Sequence, residues 1–186
     1  MYFEKENIHT LSEKSEFLIS IYSSVAQAES ESISSNQKWS IQKRFMNGTY
    51  ILPNPAYGYC TNTNGLLELN QQQADVVSFI FDEYLEGNGI WRIAKSLNEQ
   101  RIPTKTGKAA WLGGAIYIIL KNNINTGDLL LQKTYSEDIV PFVRRKNNGE
   151  YRQVLIENDH EPIVTHEEYE AVQRMLKQKA KVTKPA

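Results

Sequence analysis

The sequence predicts an α+β chain, mainly α: a long N-terminal helix, a helix-turn-helix-like domain with small β-hairpins, and a C-terminal helix. Three observations carry this. No Gly or Pro interrupts residues 11–47. Apolar residues recur at three- and four-residue steps from Ala74 to Tyr84, from Ile90 to Leu97 and from Ala115 to Leu120. Short strand-like runs are separated by Asn- and Gly-rich turns.

Taken in order, Met1–Thr10 reads as the end of a strand and a loop. The long helix begins near Glu13 with Phe17, Leu18, Ile21, Tyr22, Val25 and Ala26, thins through Gln27–Gln37, resumes with Ile41 and Phe45, and stops at Asn47-Gly48. An uninterrupted helix of about 35 residues would span about 50 Å. A small domain cannot cover one face of it throughout, so its polar middle must cross solvent, a partner subunit or DNA. The alternative is two helices that break near Ser34-Ser35.

Pro53 and Pro55 mark a boundary. Tyr57–Cys60 and Leu66–Leu69 read as a hairpin around Asn62-Thr63-Asn64-Gly65, and Asn70 as the N-cap of a helix that ends at Gly87. A second helix buries Ile90, Ile93, Ala94 and Leu97. A third starts near Trp111 and buries Ala115, Ile116, Ile119 and Leu120. Asp128–Tyr135, Ile139–Arg144 and Tyr151–Glu157 read as strands, with a polar tip at residues 146–149. A helix over Thr165–Lys179 opens with a capping box of Thr165 and Glu168. The domains expected are 1–48, 49–158 and 159–186.

Net charge is −1 over 186 residues, but its distribution is uneven. Residues 1–31 carry −4, 32–60 carry +3 and 61–87 carry −5. Residues 88–122 carry +5, with Arg92, Lys95, Arg101, Lys105, Lys108 and Lys121 against Glu99 alone. A basic helix pair on an acidic scaffold suits a polyanion, because Lys and Arg displace counterions from DNA phosphates. The connection Thr104-Lys105-Thr106-Gly107-Lys108 offers ammonium and backbone N–H groups to a phosphate. Gly113 and Gly114 leave room for the close approach of another helix or of DNA. Tyr117 and Lys121 lie four apart on the face opposite Ile119. Trp111 is either a cap on the core or an apolar contact to a thymine methyl. Lys38, Lys43 and Arg44 are placed to touch backbone as the long helix ends. Arg144 and Arg145, with Lys146, form either a hairpin-tip wing or a solvated loop.

Other chemistry finds little support. A single cysteine, Cys60, excludes an internal disulfide and a cysteine-based metal site within this chain. H-E-E-Y-E at 166–170 has one His where a zinc-protease helix has two. There is no Gly-rich phosphate loop and no G-x-S-x-G turn. Ser30, Ser32, Ser34 and Ser35 have no activating shell in the sequence around them. No cofactor is expected. With no apolar run of membrane-spanning length and no signal-peptide pattern, a cytoplasmic location is expected.

At this point a resemblance emerges. F-E-K-E-N-I-H-T (3–10), I-Y-S-S-V-A-Q-A-E-S-E-S-I (21–33) and K-W-S-I-Q-K-R-F (38–45) resemble the end of the catalytic domain of large serine recombinases. P-N-P-A-Y-G-Y (53–59), I-F-D-E-Y-L-E-G-N-G-I-W-R-I-A-K-S-L-N (80–98), R-I-P-T (101–104), the Trp111–Asn122 helix and T-G-D-L-L-L-Q-K-T-Y (126–135) resemble the recombinase DNA-binding domain. H-E-P-I-V-T-H-E-E-Y-E-A-V-Q (160–173) resembles the approach to its zinc ribbon.

The resemblance implies a site-specific recombinase that breaks and rejoins DNA through a phosphoserine intermediate. It further implies a double-stranded attachment site as partner, with homodimers that become tetramers in synapsis. The family's nucleophilic serine and zinc cysteines fall outside the matched segments, so the chain is expected to be a non-catalytic internal fragment. It departs from the family at His9, where N-I-D-T has Asp, at Ser30, Ser32, Ser35 and Asn36, and at Leu112, where a Ser or Thr usually follows the Trp. Two other readings stay open: a self-association module driven by Phe17, Ile21, Val25 and Ala28, and a transcriptional regulator built on the helix pair.

Overall fold

The computed structural model describes residues 2–3, 8–9, 13–107, 110–136 and 143–182. The chain divides into two units, 1–50 with 134–151, and 51–133 with 152–186.

In the first unit, β1 (Tyr2–Phe3) pairs antiparallel with β2 (Ile8–His9). The helix α1 then runs without a break from Glu13 to Met46, so the interruption at Ser34-Ser35 does not occur. Lys43 and Arg44 lie in its last turn, where positive charge complements the helix dipole. Phe17, Leu18, Ile21, Tyr22, Val25, Ile33 and Trp39 are all exposed along it. The chain leaves α1 through a turn in which Thr49 N–H donates to the Arg44 carbonyl, with Phe45 edge-on to Tyr50.

The second unit holds the core. The hairpin β3 (Tyr59–Thr61) and β4 (Leu67–Leu69) is closed by Asn62, whose side-chain oxygen accepts from the N–H groups of Asn64 and Leu66. Asn70 caps α2 (Gln71–Leu85) by accepting from Gln73 N–H. The stripe Ala74, Val77, Ile80, Phe81 and Tyr84 is fully buried, as its 3.6-residue period requires. The helix α3 (Ile90–Glu99) buries Ile93, Ala94 and Leu97 and ends in a Schellman motif. There Arg101 takes φ +56°, and Ile102 N–H reaches back to the Leu97 carbonyl.

The third helix, α4 (Gly113–Lys121), starts two residues later than the sequence suggests, because Leu112 is extended and serves as its N-cap. A 3-10 turn, Asn123–Thr126, follows directly. The expected strand 128–135 is broken at Gln132, which has φ +60°. Its first part, β5 (Leu129–Leu131), pairs with β8 (Val154–Ile156), and its second, β6 (Thr134–Ser136), pairs with β7 (Arg144–Lys146).

The last helix, α5 (His166–Val182), opens with the expected capping box. Thr165 donates its N–H and hydroxyl to the Glu168 carboxylate, each at 2.8 Å, and accepts from Glu168 N–H at 3.3 Å.

One core joins Val77, Ile80, Phe81, Tyr84, Ile93, Ala94, Leu97, Trp111, Ile116, Leu120, Val164 and Val172. Helix 166–182 packs into this core through Val172, Tyr169, Met175 and Leu176.

Candidate nucleic-acid interface

The α3–α4 pair is fixed before any ligand is considered. The two helices pack against each other, and the connection between them is tied down at Ile102, Pro103 and Trp111. Asn98, the penultimate residue of α3, pairs with the Trp111 backbone on both sides. Its Oδ1 accepts from Trp111 N–H at 2.7 Å, and its Nδ2 donates to the Trp111 carbonyl at 2.9 Å. The Trp111 indole is buried, donates to the Ile102 carbonyl at 2.9 Å and meets Tyr57 edge-on. Tyr57 donates its hydroxyl to the Pro103 carbonyl, and burial pushes that hydroxyl above the usual phenol range. These bonds satisfy the Trp111 backbone and the Ile102 and Pro103 carbonyls and set where α4 begins.

The geometry bears on several of the residues the sequence singles out. Trp111 serves the core and has no exposed edge to offer a thymine methyl; its large apolar ring is worth more buried. Gly113 is small for an internal reason: a Cβ there would lie 3.0–3.1 Å from the Trp91 ring, which is spread over the start of α4. Lys105 donates to the Asn54 side chain and the Pro55 carbonyl, so any anion must compete with partners in its own chain. Partial burial also lowers the pKa of that amine. Thr104 is half-buried, its hydroxyl 3.4 Å from that of Thr106. Lys108 lies outside the described residues.

Besides Lys105, which is exposed but bonded within its own chain, Arg92 on α3 and Gly114, Tyr117 and Lys121 on α4 remain on the surface of this unit. A Cβ at Gly114 would meet nothing within 4 Å. The Lys121 ammonium stands 5.5 Å from the Tyr117 ring centroid, close enough for a cation–π contact. In the other unit, Lys38, Lys43 and Arg44 are exposed on α1, with the Lys43 ammonium 5.0 Å over the Trp39 ring. Arg144 and Arg145 are exposed but lie on strand β7, not at a hairpin tip, because Arg144–Lys146 pair with Thr134–Ser136. Arg144 Nε donates to the Thr134 hydroxyl at 2.8 Å.

The structure adds Trp91, which is 70% exposed and which the sequence alone did not single out. Its position was legible: it falls off the stripe of Ile90, Ile93, Ala94 and Leu97. Together with Leu112, Lys95 and Asn98 it lines a shallow cavity of about 520 Å³ at the α3–α4 junction. Lys133 is a second addition. Its amine donates to the side chains of Asn122 and Asn123 just past α4, and burial lowers its pKa. Among the described residues no group of three or more His, Cys, Asp or Glu is placed to hold a metal, and no helix is long and apolar enough to cross a membrane.

The same arrangement of elements occurs in solved structures. One, described as a crystal structure of an LSR–DNA complex, aligns with TM-score 0.54 and 18% identity over 78% of this chain and 39% of that one. Another, concerned with the sequence requirements of the Listeria innocua prophage attP site, aligns with TM-score 0.51 and 18% identity over 77% of this chain and 52% of that one. At this identity the likeness is one of fold, and this chain spans no more than about half of either chain's length. The family comparison reaches further. The Recombinase model matches residues 71–179, which contain the capped helix α2, the clasped α3–α4 pair with its basic surface and most of α5. That span is well over half of the chain, and the protein belongs to the Recombinase family.

Proposed function

We propose that this chain is a DNA-binding part of a large serine recombinase and holds a stretch of double-stranded attachment-site DNA. The observation that carries the reading is the net +5 over residues 88–122, the segment that holds the helix pair, on which Arg92, Tyr117 and Lys121 are exposed. In this reading Arg92 and Lys121 neutralise phosphates, Tyr117 meets base edges or sugar, and Gly114 lets the duplex backbone come close. Lys38, Lys43, Arg44, Arg144 and Arg145 add sequence-independent backbone contacts. Breaking and rejoining strands through a phosphoserine belongs to the whole recombinase, and this chain's share is binding and placement. The family membership and the DNA-complex relatives support the assignment.

Salt dependence tests it. Replacing Arg92 and Lys121 together by Ala is expected to reduce the slope of log K against log salt by about 0.9 for each phosphate no longer neutralised. Fluorescence anisotropy on a labelled duplex reads this directly, and an unchanged slope removes both residues from the interface. Gly114→Ala separates folding from binding. It is expected to stabilise the fold by up to about 1 kcal/mol, because the position is open and Ala is the better helix former. It should weaken duplex binding at the same time. Stabilisation with unchanged affinity would place the DNA elsewhere.

A second reading has its own observation. Phe17, Leu18, Ile21, Tyr22 and Val25 are 41–68% exposed on α1. We propose that this stripe supports homodimers, and tetramers in synapsis. Sedimentation of the DNA-free chain at two concentrations should show a shift that Ile21→Glu with Val25→Glu abolishes.

A further inference from the structure

The last turn of a helix leaves carbonyls without intrahelical partners. In α4 three consecutive carbonyls of this turn each accept from a side chain elsewhere. The Ile119 carbonyl, which also accepts from Asn122 N–H at 3.1 Å, accepts from Asn125 Nδ2 at 3.0 Å. The Leu120 carbonyl accepts from Gln173 Nε2 at 2.8 Å, and the Lys121 carbonyl accepts from the Tyr169 hydroxyl at 3.1 Å. Two of the three donors stand four residues apart on α5, hence on one face of it. Asn125 is buried in the 3-10 turn that follows α4. Its backbone carbonyl is in turn held by Ile163 and Val164 N–H, in the segment leading into α5.

We propose that Tyr169 and Gln173 are positioning residues for base recognition: α5 grips the end of α4 and sets its tilt in the DNA groove. The proposal rests on the reading of α4 as the DNA-facing helix. The segment entering α4 is held on α3 through Asn98, and Gly113 lies against the Trp91 ring. The far end is anchored by Leu120 in the core and by these three bonds, and it carries Lys121. The residue whose ammonium faces outward beside Tyr117 thus has its backbone carbonyl clasped by α5. The helix is nine residues long. Over its length of about 13 Å, a tilt of about 10° swings the free end by about 2 Å, enough to break a base contact. Phosphate contacts through long Lys and Arg side chains tolerate such a shift. Burial holds the Tyr169 hydroxyl above the usual phenol range, which keeps its proton available for the carbonyl across the working pH range.

The test compares base preference with salt dependence. The wild-type chain first selects duplexes from a randomised pool. Its Kd is then measured for the best duplex recovered and for a shuffled duplex of equal length. Tyr169→Phe with Gln173→Met deletes both donors and keeps ring and stem. The ratio of the two Kd values is expected to fall by about tenfold, the order of a single mismatched base pair, with the salt slope unchanged. Arg174→Met, on the same helix and exposed, should leave the ratio as it is.

A purely structural role would weaken both duplexes equally and keep the ratio, which would overturn the proposal. If the wild-type chain prefers no duplex, the DNA-reading role of α4 fails first and the positioning role falls with it. If near-UV circular dichroism shows the double variant unfolded, Tyr169→Phe alone decides: a reduced ratio supports the proposal and an intact one overturns it.

Discussion

Phe81→Ala is expected to destabilise the helical unit by about 3–5 kcal/mol, the cost of removing a large buried ring together with the cavity it leaves. Phe81 is 1% exposed in the middle of α2, in the core that α3, α4 and α5 share. The surrounding side chains are fixed by helices that are themselves capped or clasped, so collapse onto the vacancy is restricted. Domains of this size are stable by only about 5–15 kcal/mol, so the loss takes a large part of the total. Urea unfolding should show a lower midpoint with an unchanged m-value. A cost below about 1 kcal/mol would mean that the core repacks freely and is not the rigid base that the α3–α4 surface needs.

Gly127→Ala is expected to cost about 3 kcal/mol, for a reason of backbone rather than packing volume. Gly127 adopts φ +86°, and an added Cβ would lie 2.8 Å from the His160 carbonyl oxygen. That obstacle is main chain and has little room to yield. Gly127's own carbonyl accepts from Asp159 N–H at 2.9 Å and His160 N–H at 3.4 Å. The buried His160 ring lies 2.7 Å from the Ile124 carbonyl through Nε2 and meets Tyr59 edge-on. A shift at Gly127 therefore reaches the 3-10 turn that continues α4. Thermal unfolding checks the cost, and a loss under about 1 kcal/mol would show that the 159–160 segment moves aside.

Much of the helical scaffold was legible because its signals are local or periodic. The stripe of α2, the Asn70 cap and the Thr165–Glu168 box each follow from residues within a few positions of one another. The length of α1 followed from the lack of any breaker between residues 11 and 47. What escaped depends on bonds between distant segments. Nothing near Trp111 signals that Asn98 will clasp its backbone, which decides between the two readings of that Trp and starts α4 later. Gly113 answers to Trp91, far from it in sequence. Lys105 is held by Asn54 and Pro55, and the α4 carbonyls by Tyr169 and Gln173, about fifty residues away in each case. Composition indicated a basic surface at residues 88–122, whereas tertiary structure decides which of its residues face outward.

If the α3–α4 surface of this chain reads DNA, selection from a randomised duplex pool will show it. At about 150 mM salt, near physiological ionic strength, the retained duplexes are sequenced. The expected result is a recovered base motif that disappears when Arg92, Tyr117 and Lys121 are replaced together by Ala. Retention of no duplex at all, by a chain that sediments as a concentration-dependent oligomer, would contradict it and leave self-association as the role of this part of the protein.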